Sequence, residues 1–159
     1  MHKMRAEFDY DAFVICNPDG EDLEFVNSLV DTMQASPYHL KICVPWRVTD
    51  RYYCSDEHYI QQRSRSCIVV LSNNFNKSKE AISQLQFAHS LSPAGKERRI
   101  LPICLDECEV PGYLQQVSKV DFYNTKTRMW LWERLYLSLK SSANPVPDVN
   151  LKNLPDVVQ

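Results

Sequence analysis

Glycine is scarce in this chain: three residues of 159, at Gly20, Gly95 and Gly112. A phosphate cradle needs closely spaced glycines, because only a residue without Cβ lets several backbone N–H groups converge on one anion. Neither GxGxxG nor GxxxxGK[ST] can be assembled from these three, so nucleotide binding of the dinucleotide or P-loop kind is unsupported. Long apolar runs are also missing, and no segment is long enough to span a bilayer. The N-terminal MHKMRAEFDYD has no apolar signal core, which points to the cytosol. Charge of one sign is lacking too. Eighteen basic and 20 acidic residues leave a net charge of −2, too near neutral to predict a nucleic-acid or acidic-membrane partner. There is no internal repeat and no low-complexity tract.

The six cysteines are Cys16, Cys43, Cys54, Cys67, Cys104 and Cys108. Without a secretory signal a disulfide framework is not expected. Cys16, Cys43, Cys67 and Cys104 fall in or beside apolar runs, where a free thiol acts as a small core residue. Cys104 and Cys108 are loosely spaced like metal ligands, but neither a histidine nor a second cysteine pair lies close in sequence, so no metal is expected. His58 follows Cys54 by four residues, which reads as an exposed helix histidine and a loop-end thiol.

The hydrophobic fraction of 44% and the charged fraction of 24% are ordinary for a folded domain, and the length suits one core. Five short apolar runs stand out: YDAFVIC (10–16), LKICV (40–44), CIVVLS (67–72), RILPIC (99–104) and VDFY (120–123). The first four are near-continuous, as strands buried on both faces are. Helical spacing lies between them. Phe25, Val26, Leu29, Val30 and Met33 mark one helix over 21–34, with Asp19 and Asp22 at its start. Ser55-Asp56-Glu57 opens a short second helix, with Arg63 and Arg65 near its end. A third runs over 76–91 with Ala81, Leu85, Ala88 and Leu91 on one face, a weak fourth lies around 110–117, and the last covers about 127–141. Strand and helix alternate five times, which predicts a flavodoxin-like three-layer α/β domain, a five-stranded parallel sheet with helices on both faces. Residues 1–7 and 141–159 read as flexible flanks, the latter with three prolines and no periodicity.

One connecting stretch is unusual. CVPWRVTDRYYC (43–54) carries Trp46, Tyr52 and Tyr53 with Arg47 and Arg51 and no glycine. Trp and Arg are favoured interface anchors, because one large side chain buries much area and a guanidinium bonds directionally. In the acidic cluster Asp19, Glu21 and Asp22, a helix start is expected rather than a phospho-acceptor site. The FDYDAF start reads as a core strand in which Asp9 and Asp11 cap or face solvent. In MWLWERL, Trp132 is expected in the core and Trp130 at the surface.

Taken together, FDYDAFVIC, SNNFNKSKEAISQLQFAHSLSP, RRILPIC and MWLWERL resemble the Toll/interleukin-1 receptor (TIR) domain family over roughly residues 8 to 140. FAHSLSPAGKERRILPI and WLWERL are most similar to the myeloid differentiation primary response adaptors within it. Those adaptors pass signals on through a separate death domain, for which this chain has no room, so it reads as either a fragment or a TIR-only protein. The resemblance implies that the opening stretch is the loop after the second strand (the BB loop), a contact surface formed here by Trp46, Arg47, Val48, Thr49, Asp50, Arg51 and Tyr52. Family members usually carry arginine-aspartate, two variable residues and proline-glycine in that loop. Here Val48 takes the aspartate position and Arg51-Tyr52 replace proline-glycine.

The resemblance implies a cytoplasmic innate-immune signalling adaptor without cofactor. Its partners would be TIR domains of Toll-like or interleukin-1-type receptors, other TIR adaptors and its own copies, with no nucleic acid and no membrane insertion. Trp130 is a secondary contact candidate. Some TIR domains instead cleave NAD with a glutamate in the third helix, and that position here is Gln84. An amide carries no charge to stabilise an oxocarbenium-like centre. Enzymatic activity is therefore not expected, although Glu80 or Glu57 would serve if the fold brought either into the cleft. A decoy that binds a TIR partner without propagating the signal is a third reading.

Overall fold

The run YDAFVIC becomes strand β1, Tyr10–Ile15, in a computed structural model that describes residues 8–47, 55–91, 99–115 and 117–140. Strands β2 (Ile42–Cys43), β3 (Ser64–Leu71), β4 (Arg99–Cys104) and β5 (Val120–Asp121) join it in one sheet of order β2-β1-β3-β4-β5. Every pairing is parallel, with Val14 opposite Ile68 and Ile68 opposite Leu101 in the centre. The expected flavodoxin-like sheet is present. The Val48–Cys54 part of the aromatic loop and both flanking segments, 1–7 and 141–159, lie outside the described residues.

Alternation explains why the central strands read as unbroken apolar runs. Ala12, Val14 and Cys16 point into one core with Ile68 and Val70. Phe13 and Ile15 point into another with Cys67, Val69 and Leu71. Both faces are covered, so both residue parities must be apolar. Helices α1 (Asp22–Gln34) and α5 (Leu131–Lys140) close the first core through Val26, Leu29, Val30, Met33, Leu131, Leu135 and Leu139. Helix α3 (Lys79–Leu91) closes the second through Ala81, Leu85 and Ala88. Cys16, Cys43, Cys67 and Cys104 are buried, as core thiols should be.

Several boundaries differ from expectation, each for a local reason. Strand β3 starts at Ser64, not Cys67, because the small Ser64 and Ser66 are buried opposite Tyr10 and Ala12. The second helix, α2, covers only Asp56–His58, capped by the Ser55 hydroxyl accepting from the His58 N–H at 3.1 Å, and continues as a π-helical segment Tyr59–Arg63. Arg65 therefore sits in β3 rather than at a helix end. Its guanidinium donates to Asp11 at 3.1 Å while Arg63 pairs with Asp9. Asp11 also accepts from the Lys41 N–H at 2.8 Å. Asp11 thus clamps β1 to its neighbours instead of capping or facing water, whereas Asp9 pairs with Arg63 and still faces solvent, as expected. The segment around 110–117 forms only a 3-10 turn, Gly112–Leu114. The last helix is split: α4 is Thr125–Arg128, Met129 and Trp130 form a turn, and α5 follows. Trp132 is half-buried and stacks on Phe25 with centroids 6.1 Å apart.

Gly20, between β1 and α1, has φ +114, a conformation that side chains resist. Its Cβ would find room, with Asn74 Nδ2 at 3.7 Å, so the constraint is backbone alone. Gly20→Ala is expected to lower stability by about 1 kcal/mol, read as a shifted urea midpoint with unchanged slope. An unshifted midpoint would show that the loop relaxes.

Candidate functional site

In an open parallel sheet, ligands and partners meet the loops at the carboxyl ends of the strands. Here β1 runs on into Cys16, Asn17 and Pro18, and β2 into a 3-10 turn, Pro45–Arg47. Ser78, one residue before α3, accepts from the Ala81 N–H at 3.0 Å and fixes the first turn of that helix against the same edge. A cleft of about 140 Å³ results, lined by Val14, Cys16, Pro18, Pro45, Trp46, Glu80 and Gln84.

Trp46 is the hinge of this geometry. It forms part of the cleft wall and is still 38% exposed. The ring therefore neither folds fully back onto the domain nor stands free of it. Arg47 completes the same turn, while Val48, Thr49, Asp50, Arg51 and Tyr52 lie outside the described residues.

Gln84 is only 7% exposed, and its Nε2 donates to Asp56 Oδ2 at 2.7 Å. The amide is thus committed across the cleft floor to the start of α2. Glu80, one helical turn earlier, is an exposed residue of the lining, whereas Glu57 is exposed on α2 and does not belong to that lining. Of the two carboxylates considered from the sequence, the fold brings one into the cleft. Cys16 offers no nucleophile: burial, reinforced by the Asp22 carboxylate, pushes its thiol up to about 12. Burial, with Cys108 next, pushes Cys104 up to about 12 as well. Among the described residues no group of three or more His, Cys, Asp or Glu side chains is gathered as a metal site.

Behind the cleft lies a polar lock that sequence reading missed. Asn17 is buried, donates to the Asn74 carbonyl at 2.7 Å and accepts from the Asp19 N–H at 2.9 Å. Asp22 is 3% exposed and accepts from the Ser72 hydroxyl, which in turn accepts from the Asn74 N–H at 3.0 Å. Asp22 is the first residue of α1, as expected, but its carboxylate is held by Ser72 from the end of β3, and its burial closes it to a phosphoryl donor. The available signal was positional: Asn17 and Ser72-Asn73-Asn74 directly follow the two central strands.

Trp130, the expected secondary contact, is 41% exposed in the turn just before α5. No helix among the described residues is long and apolar enough to cross a membrane.

The family model for the TIR domain matches residues 13–135. Among solved structures, the TIR domain of the Toll-related receptor TRR-2 from Hydra magnipapillata is similar, at 25% identity and a TM-score of 0.67. That match covers 82% of this chain and 98% of the other. A metazoan TIR-STING receptor from C. gigas, solved in complex with 2',3'-cGAMP, shares the fold at 15% identity and a TM-score of 0.60. There the match covers 90% of this chain and 42% of the receptor.

Proposed function

This chain belongs to the TIR-domain family, and from that premise we propose that it is a non-enzymatic signalling adaptor module of the myeloid differentiation type. It binds receptor and adaptor TIR domains, and its own copies, through the loop that begins at Trp46 and Arg47. The observation that carries the reading is the half-exposed Trp46 indole, which lines a cleft with Pro18 and Pro45 at the carboxyl edge of the sheet. A large ring held in place by the domain yet open to solvent loses little entropy on binding, which suits an interface anchor. Such contacts are weak one at a time. They gain strength when a head-to-tail, open-ended array lets each copy engage two neighbours.

Catalysis is the second reading, because Glu80 lines the same cleft. Gln84 at the family's catalytic position speaks against it: its amide is tied to Asp56 and supplies no charge. The two readings separate in one experiment, light scattering of the purified chain over a concentration series with NAD present and nicotinamide followed in the same tubes. Growth of assemblies without nicotinamide release is expected. Nicotinamide release that disappears in Glu80→Gln and survives in Gln84→Ala would make the protein an NAD-cleaving enzyme with its carboxylate one turn early.

A further inference from the structure

The net charge of −2 conceals an uneven distribution. Residues 125–140, which hold α4, its turn and α5, carry Lys126, Arg128, Arg134 and Lys140 against a single Glu133, a local charge of +3. The remaining chain therefore carries −5. Lys126, Arg128 and Lys140 are exposed, and Glu133 accepts from the Tyr38 hydroxyl at 3.3 Å.

The same segment holds a concentration of exposed apolar surface. Met129 is 74% exposed, Trp130 41% and Leu137 42%. The Arg134 N–H donates to the Trp130 carbonyl at 2.9 Å, so Trp130 continues the helical path of α5. Trp130 and Leu137 then stand at i and i+7, on one exposed strip apart from the buried Leu131, Leu135 and Leu139. Met129 protrudes at the head of this strip. Glu24 and Asp31, by contrast, are exposed on α1, outside this segment.

Apolar side chains led by a tryptophan and flanked by lysine and arginine match what an interfacial helix presents to a bilayer. The ring and thioether enter the headgroup boundary, and the cations meet anionic lipids. We propose that the α4–α5 face is a peripheral docking surface for a bilayer bearing anionic phospholipid headgroups. The chain lies on such a membrane without inserting a span, and its Trp46 edge belongs to a different surface.

The test is co-sedimentation of the full chain with vesicles of phosphatidylcholine, with and without phosphatidylserine, at low and high salt. Binding is expected only with phosphatidylserine and is expected to fade at high salt, where exposed charges are screened. Met129→Ser with Trp130→Ser is expected to weaken it roughly tenfold, and Lys126→Glu with Lys140→Glu to abolish it. Circular dichroism establishes that these variants fold, and the Ser pair carries the test if the Glu pair does not. Trp46→Ala is expected to bind vesicles like the wild type, which keeps this inference separable from the adaptor reading. No sedimentation with either vesicle, equal binding by the Ser pair, or capture of polyglutamate in place of vesicles would each overturn the proposal.

Discussion

Trp46→Ala is expected to weaken self-association by roughly thirtyfold or more, the loss typical of a central aromatic anchor. The expectation rests on where the ring sits. A surface tryptophan with no support would lose much rotational freedom on binding and return little, whereas this one is already partly buried in the wall of a cleft, which braces it. The same bracing means the variant also loses some packing, about 1–2 kcal/mol for a partly buried ring. Thermal melts must therefore accompany the scattering series. A folded variant that no longer grows with concentration assigns the contact to Trp46. A folded variant with wild-type concentration dependence removes Trp46 from the interface and leaves the adaptor reading without its anchor.

The contrast between Trp46 and Trp130 shows how far residue type alone carries. Both are half-exposed tryptophans, 38% and 41%. Trp46 follows a two-residue edge strand at the carboxyl edge of the sheet and shares a cleft with Glu80 and Gln84. Trp130 heads a basic helix on the outer layer. Their exposure was legible, since neither falls on the apolar stripe of a helix or the interior of a strand. Their different surroundings were not, because each is set by segments distant in the chain. The strands were legible for the opposite reason: covered on both faces, they had to be apolar at every position. Where the apolar run gave way to small polar residues, as at Ser64-Arg65-Ser66, the start of β3 was lost to view even though Ser64 and Ser66 are buried.

The site suffered most from this limit. Gln84 and Asp56 are 28 residues apart, Asn17 and Asn74 are 57 apart, and Asp22 and Ser72 are 50 apart. Periodicity reports which face of an element is apolar, but it does not report which polar groups from two elements will share one bond. What the sequence did offer was the catalytic-position argument, and it needed one structural supplement. The Gln84 amide is bonded to Asp56, but the cleft it lines also holds the Glu80 carboxylate. That is why the nicotinamide assay requires the Glu80→Gln variant as well as the wild type.

Ser72→Ala is expected to destabilise the fold by about 2–3 kcal/mol at neutral pH, the range for removing a buried hydrogen bond to a charged group. The hydroxyl is the donor to Asp22, and Asn74 N–H loses its acceptor in the same change. Burial raises the Asp22 carboxyl above its usual range, the Ser72 bond opposes that rise, and the nearby Asp106 charge adds to it. The sign follows from linkage. A carboxyl whose folded-state pKa is raised holds its proton more tightly in the folded chain, so its contribution to stability is greatest below the ordinary carboxyl value of 3.8 and is lost as pH rises through the folded value. Ser72→Ala removes an interaction that matters most to the ionised form. Its penalty should therefore shrink as pH falls and Asp22 takes up a proton. Asp22→Asn keeps an oxygen acceptor for Ser72 without the buried charge, so relative to the wild type it should gain stability between acid and neutral pH. Urea denaturation of both variants at several pH values measures these differences. A Ser72→Ala penalty that is constant with pH would show that Asp22 stays protonated in the folded chain throughout, and that the lock between the α1 start and the end of β3 is a neutral hydrogen bond.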